Sequence, residues 1–153
     1  MIGLICFTLC IRLLVFIQSL DNQISYLAND TNSYNSTALA WLQTGSFSHS
    51  LDHLDIPETL RTPGYPFFLG IIYKVFGERY TSVVLIQIFL SLFSTYLIYL
   101  IGTIIFNKKV GLFTALIFSL DPVSISMNYK ILSETLFLFF LILFILTGIL
   151  WLR

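Results

Sequence analysis

Four charged residues of this chain have the types that group transfer on a phosphate-bearing substrate requires: Asp30, Arg61, Lys130 and Glu134. A carboxylate within hydrogen-bond reach of a hydroxyl can act as general base, and Asp30 is the candidate. Cations beside a leaving phosphate stabilise the charge that develops there, which suits Arg61 and Lys130. Each residue also has a plainer reading. Asp30 stands where a helix cap would stand, Arg61 could anchor the chain at a membrane interface, and Lys130 and Glu134 could neutralise each other across one helical turn. A second cluster, His49, Asp52, His53 and Asp55, has metal-ligand types. Its spacing is not that of a zinc site, so a solvated loop is expected, with no metal or other cofactor.

These residues must be positioned by a membrane protein. The 153 residues are 57% hydrophobic and 10% charged, against about 25% charged in soluble domains. Val83 to Phe106 and Thr135 to Leu152 carry no charge, and Ile2 to Leu20 is broken only by Arg12. Each is long enough to cross a hydrocarbon core of about 30 Å as a helix. A further crossing is expected over 110–127, with Asp121 and Pro122 in its outer half. The predicted fold is therefore all-α, a polytopic transmembrane helical bundle of about four spans, at 2–20, 81–106, 110–127 and 133–152. The first span lacks a basic leader and a small-x-small cleavage site, so it reads as an uncleaved helix, with Cys6 and Cys10 as small apolar residues in it.

The long segment 21–80 between the first two spans holds most of the polar residues. Tyr34, Ala38 and Leu42 recur at helical spacing, with Asp30 near the amino end and Gly45 at the close, which predicts a short helix. Phe67 to Phe76 predicts another, opened by Pro66 and closed by Gly77. It is too short to cross and is expected to lie at the membrane surface, with Tyr65 and Tyr73 at headgroup level. Lys108, Lys109 and Arg153 share one side of the membrane by this count of spans. Short basic loops stay cytoplasmic, so the amino terminus is expected inside and 21–80 outside. The formal net charge is zero, and nothing points to nucleic acid.

Two strings carry a resemblance. Asp30-x3-Tyr34-x3-Ala38-x3-Leu42-x2-Gly45-Ser-Phe47, then Arg61-Thr-Pro-Gly-Tyr-Pro-Phe67, resemble the first outer loop of polyprenyl-phosphate-dependent glycosyltransferases of the GT-C fold. These include bacterial relatives of the protein O-mannosyltransferases and of the enzyme that adds aminoarabinose to lipid A. Gln87 in the second span, Pro122 ending the third and Leu132-Ser-Glu-Thr-Leu136 opening the fourth follow in the same order. The resemblance implies sugar transfer from a polyprenyl-phosphate carrier to a lipid, glycan or protein acceptor at the outer face of the bacterial inner membrane. It implies Asp30 as catalytic base; Arg61, Tyr65, Lys130 and Glu134 are the candidates for contact with the substrate. The mannosyltransferases carry an adjacent Asp-Glu pair, whereas Asp30 is followed by Thr31. Family members have about twice as many spans or more, so these 153 residues are expected to be the amino-terminal part of such an enzyme and inactive alone. The alternative is a non-enzymatic membrane protein, a transporter subunit or an assembly factor. Transporters gather ionisable groups near the bilayer midplane. Here Arg12 and Asp121 are the charges inside spans, which favours chemistry at the surface on a lipid-borne substrate.

Overall fold

The computed structural model describes residues 2–20 and 26–153. It is a helical bundle with one small hairpin. In chain order the elements are α1 (Ile2–Ser19), α2 (Thr31–Thr44), β1 (Ser48–Ser50), β2 (His53–Pro57), α3 (Gly64–Phe76), α4 (Tyr80–Ile105), α5 (Lys108–Leu120), α6 (Pro122–Met127) and α7 (Glu134–Trp151). Three helices, α1, α4 and α7, are long and apolar enough to cross a membrane. Few of the side chains along α1 and α7 are buried, and Phe7, Ile17, Phe137 and Phe144 are exposed, as expected of helices that face lipid or further spans.

The segment expected to cross at 110–127 is not one helix. It breaks at Asp121 into α5 and the one-and-a-half-turn α6. The cause is local. Pro122 offers no N–H and pushes the residue before it into an extended conformation, and Asp121 has φ −64 and ψ 115. Its carboxylate then caps the new helix, accepting from the Ser124 N–H at 2.6 Å. At its other end α5 is capped by Asn107, which accepts from the amides of Lys109 and Val110. From that turn α5 folds back on α4 at close range. A Cβ built on Gly111 would lie 2.3 Å from Thr103 Oγ1 and 2.6 Å from the Tyr99 carbonyl oxygen, so this crossing requires glycine.

Arg12 is fully buried in α1 and reaches α6, donating from Nη2 to Ser124 Oγ at 3.3 Å. The Tyr129 hydroxyl donates to the Arg12 carbonyl oxygen. A charge inside a span faces protein rather than lipid, and Arg12 does so.

The packed core sits at one end of the long helices. There α2 and α3 lie against the first turns of α4 and the 128–132 turn, burying Tyr34, Tyr65, Leu69, Val84, Ile88 and Ile131. Helix α2 matches its expected span, and Gly45 closes it with φ 76, a left-handed conformation that glycine adopts without strain. Helix α3 starts at Gly64, two residues earlier than expected, and Pro66 is its third residue. Proline costs little there because the first turn's N–H groups have no partner within the helix. Gly70 lets α3 approach α2: a Cβ on it would lie 2.7 Å from Trp41 Cε3.

The solvated loop expected around His49 is instead a short antiparallel hairpin, with Ser48 opposite Pro57 and Ser50 opposite His53. Asp52, His53 and Asp55 are exposed on it.

Candidate active site

Asp30 holds the position before α2, but its side chain caps nothing. The threonine after it ties the start of the helix to its surroundings, accepting from the Ala28 N–H at 2.8 Å and donating to the Ile131 carbonyl at 3.1 Å. Asp30 pairs instead with Arg61, whose Nη2 donates to Asp30 Oδ1 at 2.6 Å. Arg61 also donates from Nε to Ser33 Oγ at 3.1 Å, and its guanidinium lies over the Tyr34 ring, 4.8 Å from the centroid. The hydrogen bond that Arg61 donates to Asp30 raises the Arg61 pKa above its ordinary value, and burial only partly opposes it. Asp30 is about half exposed, at 48% of its side chain, so the pair stands at the edge of the protein and not within it.

Lys130 lies in the turn between α6 and α7, and Glu134 is the first residue of α7. Residues 130–133 are not helical, so the expected pairing across one helical turn does not form. Among the described residues the side-chain ion pair is Asp30–Arg61, and His49 meets Glu58 at 3.3 Å. Lys130 and Glu134 instead line an open cavity of ≈ 390 Å³ together with Asp30, Asn29 and Leu132. Three residues picked from the sequence, 100 positions apart in two groups, thus share one polar cavity with Arg61 bonded at its edge. A second cleft of ≈ 290 Å³ runs between α4, α6 and α7, past Ser91, Asp121, Asn128, Phe137 and Leu138. Glu134 lines both.

Tyr65 is placed elsewhere. It is 2% exposed, and its hydroxyl donates to Gln87 Oε1 at 2.7 Å. Gln87 passes the contact on, donating from Nε2 to the carbonyls of Asn128 at 3.0 Å and Lys130 at 2.9 Å. The pair fastens the turn that carries Lys130 and touches the cavity only through it. Burial pushes the Tyr65 hydroxyl well above its ordinary pKa, so it stays a neutral donor. Tyr73 is buried as well, donating to Asn35 Oδ1 at 2.8 Å. Neither tyrosine is presented outward, as a headgroup contact would require. The face that α3 turns outward carries Ile71, Lys74 and Val75. The tyrosines face inward because Gln87 on α4 and Asn35 on α2 offer them polar partners and α2 adds an aromatic edge: the rings of Tyr34 and Tyr65 meet at 4.9 Å and 76°.

Two residues with clear roles had no signal in the sequence. Gln87 stood out only through the resemblance. Glu58, a lone acid in a turn, is the buried partner of His49 at 3.3 Å. The proposed metal-ligand types thus resolve into one His–Glu contact and three exposed residues of a hairpin.

The described residues thus form a bundle that includes three helices long and apolar enough to cross a membrane, with a polar, charged cavity at one end. The model of the dolichyl-phosphate-mannose-protein mannosyltransferase family matches residues 60–153, more than half of the chain, and the protein belongs to that family of GT-C-type membrane glycosyltransferases. The match takes in Arg61, Tyr65, Gln87, Lys130 and Glu134, while Asp30 lies before it. No curated protein and no solved structure gives a significant match.

Proposed function

We propose that the cavity bounded by Asp30, Lys130 and Glu134 receives the sugar phosphate of a polyprenyl-phosphate donor, for transfer to a lipid, glycan or protein acceptor at the outer face of the membrane. The observation that carries this reading is the convergence of a half-exposed carboxylate and a lysine on one open cavity, with a guanidinium clamped to that carboxylate. Asp30 uses Oδ1 for Arg61, and Oδ2 has no hydrogen-bond partner among the described residues. Oδ2 takes the proton of the acceptor hydroxyl as its oxygen bonds to the anomeric carbon. The bond from that carbon to the phosphate oxygen breaks, and its electron pair leaves with the polyprenyl phosphate. Arg61 and Lys130 meet the charge that builds on the phosphate. Glu134 stands where the polar cavity meets the cleft between α4, α6 and α7, which offers the carrier's hydrocarbon chain a path into the bundle. Binding of the donor is the function assigned to these 153 residues by themselves.

The test is a titration of the purified chain in detergent with a short-chain polyprenyl-phosphate mannose and, separately, with the matching prenol. The phosphate-bearing lipid should bind, and Arg61→Ala and Lys130→Ala should each weaken it about tenfold or more, the scale of a lost charge-assisted hydrogen bond. Equal affinity for the prenol, or wild-type affinity in both variants, would remove the proposal.

A further inference from the structure

One buried carboxylate takes no part in the chemistry just described. Glu58 follows the exposed strand β2, yet its side chain is 0% exposed. A carboxylate in such a place is costly unless it is fully bonded, and this one is. Oε1 accepts from the backbone N–H groups of Leu60 at 2.7 Å and Arg61 at 3.1 Å. Oε2 accepts from Thr37 Oγ1 at 3.1 Å and meets His49 Nδ1 at 3.3 Å. The four contacts come from three parts of the chain: helix α2, strand β1 and the turn that leads into α3.

One of those four donors is the backbone nitrogen of Arg61 itself. Further out, the same residue's guanidinium is held by Ser33 and Asp30. Arg61 is therefore gripped at both ends, its main chain by Glu58 and its head by Asp30. Thr37 and Ser33 both belong to α2, so the two grips refer Arg61 to the same helix. An arginine side chain loses substantial rotamer entropy when it is fixed, and fixing it before a ligand arrives removes that cost from binding.

We propose that Glu58 is the positioning residue for Arg61: its buried carboxylate locks the 58–61 turn onto α2 and so holds the guanidinium against Asp30 at the mouth of the cavity. That Arg61 is thereby made ready for a phosphate rests on the function proposed above. The lock itself does not. A carboxylate that merely stabilised the fold would lower the melting temperature when removed and leave the behaviour of the Arg61 head group alone.

The experiment labels the whole chain with ¹⁵N-arginine and follows solvent exchange of the Arg61 Nε–H in detergent, with thermal unfolding alongside. Glu58→Gln keeps a side-chain oxygen for the Leu60 and Arg61 amides and should retain the protection of the wild type. Glu58→Ala should speed Arg61 Nε–H exchange about tenfold or more, as Asp30→Asn should. Unchanged exchange in Glu58→Ala, with a lowered melting temperature, would make Glu58 structural only and overturn the proposal. If Glu58→Ala does not fold, Glu58→Asp replaces it. One methylene shorter, it cannot reach Thr37 and both amides together, and the same two outcomes decide. A second readout is the affinity for a short-chain polyprenyl phosphate. Glu58→Ala should weaken it about tenfold in the wild-type background and leave it unchanged in Arg61→Ala, because the two act through one group. A full additional loss in the double variant would refute the coupling. If the wild-type chain binds no polyprenyl phosphate, the donor reading falls, and the exchange measurement still decides whether Glu58 positions Arg61.

Discussion

Tyr65 separates a substrate contact from a positioning contact, and the structure gives the size of the difference. Tyr65→Phe removes one hydroxyl and the 2.7 Å bond it donates to Gln87. The ring keeps its volume and its edge contact with Tyr34 at 4.9 Å. What remains is one buried amide oxygen without a donor, which costs about 1–3 kcal/mol. Gln87→Leu keeps roughly the same volume but strands more: the Tyr65 hydroxyl and the carbonyls of Asn128 and Lys130. Lys130 borders the open cavity, so water can reach its carbonyl. The Tyr65 hydroxyl and the Asn128 carbonyl are buried, so two groups stay unpaired at a cost of about 2–6 kcal/mol. The assay is equilibrium unfolding of each variant in detergent, with affinity for a polyprenyl phosphate measured on the folded protein. Gln87→Leu should lose about twice the stability that Tyr65→Phe loses. Both should weaken phosphate binding, because the turn that carries Lys130 loosens. The high pKa of the buried Tyr65 hydroxyl makes the difference constant through neutral and mildly alkaline pH. A tyrosine that touched substrate would behave differently: Tyr65→Phe would lose affinity at unchanged stability, and Gln87→Leu would be the milder change. Either half of that pattern would refute the reasoning.

Three further outcomes are expected. In a complete enzyme that carries this segment, Asp30→Asn should cut sugar transfer by about 10² to 10⁴ while donor affinity changes little, and transfer at the wild-type rate would exclude Asp30 as the base. Glu58 is held below its ordinary pKa of 4.5: burial pushes it up, but the hydrogen bonds from the Leu60 and Arg61 amides, Thr37 and His49 outweigh that. Its contribution to stability is then complete above pH 4.5 and is lost as the pH falls through the lower folded value, so Glu58→Gln should flatten the acid limb of a melting-temperature profile against pH. For orientation, a cysteine at the exposed hairpin position Asp52 should react with an impermeant thiol reagent in intact cells and one at Asn107 should not, once Cys6 and Cys10 are replaced; the reverse labelling would place the cavity on the inner face.

What the sequence disclosed was local. The three long apolar helices follow from unbroken stretches of apolar residues, and α2 follows from Tyr34, Ala38 and Leu42 at helical spacing with a glycine after them. The break at Asp121 was visible as an Asp-Pro pair, but its consequence was not. A proline can be absorbed in a membrane helix when neighbours satisfy the freed carbonyl, and here the aspartate's capping bond to Ser124 starts a new helix instead. The hairpin gave no alternation of apolar and polar residues because β2 is exposed along its whole length, and a strand without a buried face has no period to detect.

The site was legible as residue types and illegible as contacts, and the reason is distance along the chain. Asp30 and Arg61 are 31 positions apart, and Thr31 meets Ile131 across 100. Both separations are far longer than the few residues over which a helical or strand period relates side chains. Near neighbours misled for the opposite reason. Lys130 and Glu134 have the spacing of a helical ion pair, but the helix starts only at Glu134, so the pattern described a turn that does not exist. Tyr65 and Tyr73 have the composition of an interfacial belt, yet a tyrosine needs only an apolar wall and one polar partner, and Gln87 and Asn35 supply those inside the protein. The same physics places the three carboxylates. Asp30 and Glu134 keep their polar groups at an open cavity, where water or a ligand can meet them, while Glu58 is buried because four donors were available to it. A carboxylate that must exchange protons with a substrate has to remain incompletely bonded. Among the described residues Asp30, with one oxygen committed to Arg61 and no partner on the other, meets that condition and Glu58 does not.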